Sequence, residues 1–275
     1  MKNTHSAIIV LLILPATLGV IKADVIGFAA GLIGTSTNSE FGTLDLTTGT
    51  FTGVTTYTNT LIADLALSPD GTLYALTSPD GVAGSNEIAT INPVTGAITD
   101  VAVNSAGLDS FDFAAGGTLY GLSGTTPAKL YTIDPSTGAT SFVTNLSGGA
   151  ADDASNITFI GNIAYTTSLL TPGSFYTINL TTGATTLAGS TGLNESNALV
   201  GEVDGQLVDI AVTNPTDEIF YVNPASAAAT SGASVPEFYE VALIPTPEPG
   251  SFAMLGACAV ALFALRRTRS STTID

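Results

Sequence analysis

A short run ending in Asp/Asn-x-x-Thr-Gly recurs along this chain at nearly even spacing, and that period restricts the fold more than any other feature of the sequence. Four copies keep the glycine: Leu44-Asp45-Leu46-Thr47-Thr48-Gly49, Ile91-Asn92-Pro93-Val94-Thr95-Gly96, Ile133-Asp134-Pro135-Ser136-Thr137-Gly138 and Ile178-Asn179-Leu180-Thr181-Thr182-Gly183. A fifth, Val222-Asn223-Pro224-Ala225-Ser226-Ala227, ends in alanine. The glycines lie 47, 42 and 45 residues apart, and Ala227 follows Gly183 by 44. A period near 45 residues suits one four-stranded propeller blade.

Local chemistry makes each motif a hairpin. Asp or Asn opens a type I turn, Pro93 or Pro135 fits the next position, and glycine takes the left-handed bulge. Upstream, Leu65 to Leu76 aligns without gaps to Phe111 to Leu122, and Ser68-Pro69-Asp70-Gly71 within the first reads as a hairpin turn, so each unit carries a second hairpin. The intervening segments alternate small or apolar with polar residues and are rich in Thr, Val, Ile and Tyr, as half-buried antiparallel strands are. The expectation is an all-β fold, a five-bladed β-propeller of four-stranded blades over residues 24–244. Glu237 to Ile244 is the strand expected to close the ring by pairing into the first unit, hiding both sheet edges. A parallel β-helix is the main alternative, though its rungs repeat at about half this period or less.

The unit Leu130-Tyr131-Thr132-Ile133-Asp134-Pro135-Ser136-Thr137-Gly138 resembles the repeats of extracellular quinoprotein-like propellers. Quinone-binding members of that group depend on tryptophans. This chain has none, so the resemblance implies neither a cofactor nor a catalytic residue.

Both ends read as addresses. Residues 1–23 form a signal peptide: a short polar start with Lys2, an apolar run from Ala7 to Val20 and a small residue, Ala23, at the cleavage point. At the other end Pro247-Glu248-Pro249 lies in a proline-rich segment, 245–249, followed by an uncharged apolar run, 250–265, and a basic tail, 266–275, with Arg266, Arg267 and Arg269. Sixteen residues span about 24 Å as a helix, enough for a thin bilayer, and the arginines hold the tail on the cytoplasmic side. The fold is thus expected to be flanked by an N-terminal signal helix and a C-terminal transmembrane helix. Pro-Glu-Pro, apolar helix and arginine cluster together resemble the PEP-CTERM sorting signal. That resemblance implies recognition by an exosortase-type processing enzyme, processing near Pro247-Glu248-Pro249, and delivery to the cell surface or an extracellular polymer matrix. The same tail is also labelled an ice-binding protein C-terminal domain, a name that concerns the tail and does not imply ice binding.

Charge and composition narrow the rest. The chain has 23 acidic residues against six basic ones, and Lys129 alone of the six lies between the ends. Such a surface repels phosphate backbones, which excludes a nucleic-acid partner. The single histidine, His5, and single cysteine, Cys258, fall in the terminal segments. The exported portion therefore has no Ser-His-Asp or Cys-His unit, no Cys/His zinc site and no internal disulfide.

What remains for a site is oxygen chemistry. Asp64, Asp109 with Asp112, Asp152 with Asp153 and Asn156, and Glu195 with Asn197 occupy corresponding places in successive units. They are expected in the loops that enter the innermost strands, where converging carboxylates repel unless a hard cation such as calcium sits among them. The bland reading is that they cap turns and solvate loops. An enzyme reading survives as paired-carboxylate glycoside hydrolysis, with Asp64, Asp112 and Glu195 as the acids and Tyr57, Tyr165 or Tyr176 as a sugar platform. The leading expectation is non-enzymatic, with no catalytic residue and no cofactor: an exported propeller, tethered or released, whose loops bind an exopolysaccharide or cell-surface ligand.

Overall fold

The computed structural model describes residues 25–33, 37–79, 87–154, 156–168, 173–193, 198–203, 205–212, 217–235 and 239–243. The segments read as signal peptide, sorting motif, membrane helix and basic tail lie outside these residues. No helix among the described residues is long and apolar enough to cross a membrane.

Among the described residues, twenty strands form five four-stranded antiparallel sheets, the blades of a β-propeller. The first blade draws on both ends of the described chain: β1 (Ile26–Leu32), β2 (Ser39–Asp45) and β3 (Thr50–Tyr57) are joined by β20 (Tyr239–Leu243), in the order β20-β1-β2-β3. The second holds β4 (Leu61–Leu67), β5 (Leu73–Ser78), β6 (Glu87–Ile91) and β7 (Ile98–Val103). The third holds β8 (Leu108–Phe113), β9 (Leu119–Ser123), β10 (Lys129–Ile133) and β11 (Thr140–Asn145). The fourth runs β12 (Thr158–Ile160), β13 (Ile163–Ser168), β14 (Ser174–Ile178) and β15 (Thr185–Ser190), and the fifth β16 (Ala198–Val203), β17 (Gln206–Val212), β18 (Asp217–Val222) and β19 (Ala229–Val235). The innermost strands β20, β4, β8, β12 and β16 pack in that cyclic order around the axis.

The closing strand is the one the sequence predicts, described over Tyr239–Leu243. It pairs antiparallel with β1 from Gly27↔Leu243 to Gly31↔Tyr239. Ring closure covers the edge of β1 and completes the first blade with strands from both ends of the described chain.

Each recurring motif joins the third strand of its blade to the outermost one. The Asp or Asn side chain caps the turn: Asp45 Oδ1 accepts the N–H groups of Thr47 (2.8 Å) and Thr48 (3.2 Å), and Asn92, Asn179 and Asn223 bind theirs in the same way. The final residue turns left-handed, φ 71° at Gly49, 70° at Gly96, 67° at Gly138 and 71° at Gly183, conformations that glycine adopts without steric cost. Closeness matters as much as φ. A Cβ at Gly96 would meet Thr55 of β3 at 2.2 Å, one at Gly138 would meet Ala102 of β7 at 2.4 Å, and one at Gly49 would meet the Ser234 carbonyl oxygen in β19 at 2.2 Å. The turn of every blade thus seats on the outermost strand of the preceding one.

The core has no single centre. Five apolar clusters lie one at each blade-to-blade interface: Phe41 with Leu65 and Leu73, Leu76 with Phe111, Leu130 with Ile178, Phe175 with Leu207, and Leu44 with Ile210. Both faces of each blade pack against a neighbour, so the second strands are buried on both sides. This departs from the simple apolar-polar alternation the sequence suggests, and it places Thr77, Ser78, Ser123, Thr166, Thr167 and Ser168 in the interior.

Antiparallel pairing sorts the connections onto two faces. The turn face carries the recurring turns and the short hairpins at 68–72, 114–118 and 161–162. The loop face carries the blade-to-blade connections, the longest of which, 146–157, precedes β12.

Candidate functional site

The acidic residues singled out by sequence separate into three kinds of place. Asp64 and Asp112 are on the innermost strands β4 and β8 themselves, which corrects their expected position in the entering loops. Asp109 is also on β8 but exposed. Asp152 and Asp153 lie in the connection that precedes β12, and Glu195 lies outside the described residues.

Asp64 and Asp112 tie successive blades together. Asp64 Oδ1 accepts the N–H of Leu65 at 2.8 Å, and its Oδ2 accepts the N–H of Phe111, on the next innermost strand, at 2.7 Å. Asp112 repeats the arrangement one blade on: Oδ1 accepts the Phe113 N–H at 2.7 Å, while Oδ2 accepts the Thr158 hydroxyl at 3.0 Å and the Phe159 N–H at 3.2 Å. Between them the Ser110 hydroxyl oxygen accepts the Ile157 N–H at 3.0 Å. Three adjacent innermost strands are stitched side chain to backbone.

Burial governs the ionisation of both carboxyls. It pushes Asp64 up to about 7, with the nearby Asp112 charge adding a little, against the hydrogen bonds from Phe111, Ser110 and Leu65. It pushes Asp112 up to about 6, against those from Phe113, Thr158 and Phe159. Partial desolvation against the chain at Gly124 also raises the otherwise exposed Asp109: a Cβ on Gly124 would meet its Oδ2 at 1.9 Å.

Asp153 and Asn156 hold structure in place. The Ser168 hydroxyl donates to Asp153, and Asn156 makes two bonds to Thr167, donating from Nδ2 to Oγ1 at 2.7 Å and accepting the N–H at 3.0 Å. These contacts pin the long connection onto β13. Among the described residues, no three acidic, histidine or cysteine side chains gather as a set that could hold a metal ion.

The sugar platform is absent from the places expected. Tyr165 is buried and stacked on Phe175, ring centroids 5.2 Å apart, and Tyr176 is buried as well. Tyr57 donates its hydroxyl to the Gly96 carbonyl of the next blade at 2.6 Å, and burial pushes that hydroxyl up to about 12. Asp209, fully buried in β17, is absent from the set derived from sequence. Its signal was there: a carboxylate inside the apolar run Leu207 to Val212.

The chain matches no family model and no curated protein. Solved structures share its fold. TolB from Acinetobacter baumannii superposes with a TM-score of 0.51 at 17% identity, over 82% of this chain and 55% of that one. The chain therefore spans about half the length of the TolB chain, and at that identity the likeness is one of fold alone. Two structures of puromycin hydrolase, one an S511A mutant complexed with PGG, superpose more loosely, with TM-scores of 0.38 at 18% and 20% identity, over 67% of this chain and 30% of theirs.

Proposed function

We propose that this chain is an exported, non-catalytic propeller, tethered by its C-terminal segment or released from it by an exosortase-type enzyme acting near Pro247-Glu248-Pro249, that displays loops for adhesion or for binding an extracellular polymer. The supporting observation is that Asp64 and Asp112, on the innermost strands β4 and β8, spend their oxygens on backbone and hydroxyl groups of their own and the next blade. Acids so engaged serve the ring. No cofactor enters the proposal.

The test is expression of the tagged full-length chain, with and without Pro247-Glu248-Pro249, in an exosortase-bearing host. Expected is processing and transfer to the surface or medium that depends on those three residues. Identical membrane, surface and medium fractions make the tail an ordinary anchor.

One observation favours a second reading: two carboxyls held near neutrality suit glycoside hydrolysis, which needs one acid protonated. Hydrolysis of a polysaccharide that disappears in Asp112→Asn, while the fold persists, would replace the first reading with this one.

A further inference from the structure

The two ends of the described chain leave the ring together. Gly27 pairs with Leu243, so β1 starts and β20 ends on the turn face. β20 is the innermost strand of its blade, so the chain departs near the middle of that face. The membrane segment expected from the sequence begins at Gly250, seven residues past Leu243.

Seven residues reach at most about 25 Å fully extended. To bring the loop face against a bilayer, the same seven must run outward across a four-stranded blade and then down its edge. The first leg is about 14 Å at the usual strand spacing, and the second, the length of a five-residue strand, is about 17 Å. Together these exceed the reach before any chain is left to enter the lipid.

Resting on the proposed tether, we propose that the turn face is the surface turned toward the lipid bilayer, and that the loop face is the surface shown to partners. The turn face presents Asp45, Asp70 and Asp134 from its hairpins. The Ser68 hydroxyl and the Thr72 N–H hold Asp70 below the usual carboxylate range, and the Ser136 hydroxyl and N–H do the same for Asp134. Lys129, the one basic residue between the terminal segments, starts β10 on the loop face, which also carries Asp109, Asp152 and Asp153. With acids on both faces, charge keeps the ring from adsorbing to headgroups, and the orientation follows from where the tether leaves it.

The test uses the full chain in the Cys258→Ser background, reconstituted in phosphatidylcholine vesicles that carry an acceptor-labelled lipid. A donor dye is placed at Val94→Cys, an 81% exposed position on the turn face, or at Ser105→Cys, exposed on the loop face between β7 and β8. Energy transfer to the lipid is expected to be at least twofold more efficient from position 94. Equal transfer, or the reverse order, in chain that floats with the vesicles overturns the orientation and leaves the tether standing. Chain that fails to float overturns the tether and the orientation with it.

Discussion

Ala227 stands where the other four motifs have glycine, and its backbone is left-handed all the same, at φ 56°. An L-residue in that region carries a cost of roughly 1–2 kcal/mol. The space for its methyl group comes from the preceding blade. Gly189 of β15 occupies the place that Thr55, Ala102 and Thr144 hold in other blades, and a Cβ there would meet the Ala227 Cβ at 2.7 Å. The two positions are a reciprocal pair, one methyl group exchanged across an interface. Gly189→Ala alone is expected to destabilise by about 1–3 kcal/mol through overpacking. Adding Ala227→Gly should restore urea stability to within about 0.5 kcal/mol of the parent, with a coupling energy that shows the contact. Simple additivity of the two changes would refute the pairing.

Also at the scale of single residues, Asp64 and Asp112 set a pH dependence. Their folded values, about 7 and about 6, lie above the ordinary 3.8, so between pH 4 and 7 the folded chain holds more protons than the unfolded one. Stability contributed by these groups is fully present below about pH 4 and is lost as pH rises through 7. Urea midpoints measured across that window should fall with rising pH, and Asp64→Asn should flatten the slope. A midpoint that rises from pH 4 to 7 in the parent, or an unchanged slope in the variant, counts against the burial of this carboxyl.

Among the elements, β20 carries the greatest consequence for its size. Its five residues supply the inner edge of the first blade, and Val241 and Ala242 enter two different interface clusters. Removing it exposes the backbone of β1 and opens the ring between β16 and β4. A propeller domain ended before Tyr239 is expected to lose cooperative unfolding or to melt far below the parent. A truncated domain that melts at the same temperature would show that closure contributes nothing. The outermost strands solve the opposite problem, being edges that stay exposed. Each pairs to its neighbour through a register shift, at Phe41/Gly42, Ile88/Ala89, Leu130/Tyr131, Phe175/Tyr176 and Glu218/Phe220. A bulge at the rim twists the edge away from pairing with another chain. It also carries Val101, Val143, Ala188 and Ala233 onto the interface clusters.

At the scale of the whole molecule, the stability is that of five interfaces in a circle, each a separate apolar cluster between two blades. A circle has no privileged starting point. Because Gly27 lies opposite Leu243, a short linker can join the ends, and new ends can be opened at Ser105 between the second and third blades. Such a permutant makes the first blade continuous in sequence. It is expected to keep the parent's far-ultraviolet circular dichroism and to melt within a few degrees of it. Failure to fold would mean that the order of the blades in the chain, and not the closed ring alone, is required.

The amino-acid sequence by itself determined the period, the strand count per unit, the turns and the closing strand. Each of these depends on residues a few positions apart: an Asx side chain reaching two residues on, a left-handed glycine, a proline holding φ. The role of the acids was beyond its reach. Asp64 meets Phe111, and Asp112 meets Phe159, each across 47 residues, and whether such a carboxyl is solvated, metal-bound or buried depends on which strand the ring lays beside it. Tyr57, Tyr165 and Tyr176 were likewise open to a surface role until the packing of blade on blade enclosed the last two and bonded the Tyr57 hydroxyl to Gly96. Local chemistry is written in neighbouring residues, whereas burial and ionisation are properties of an interface, and here every interface is made by closing the circle.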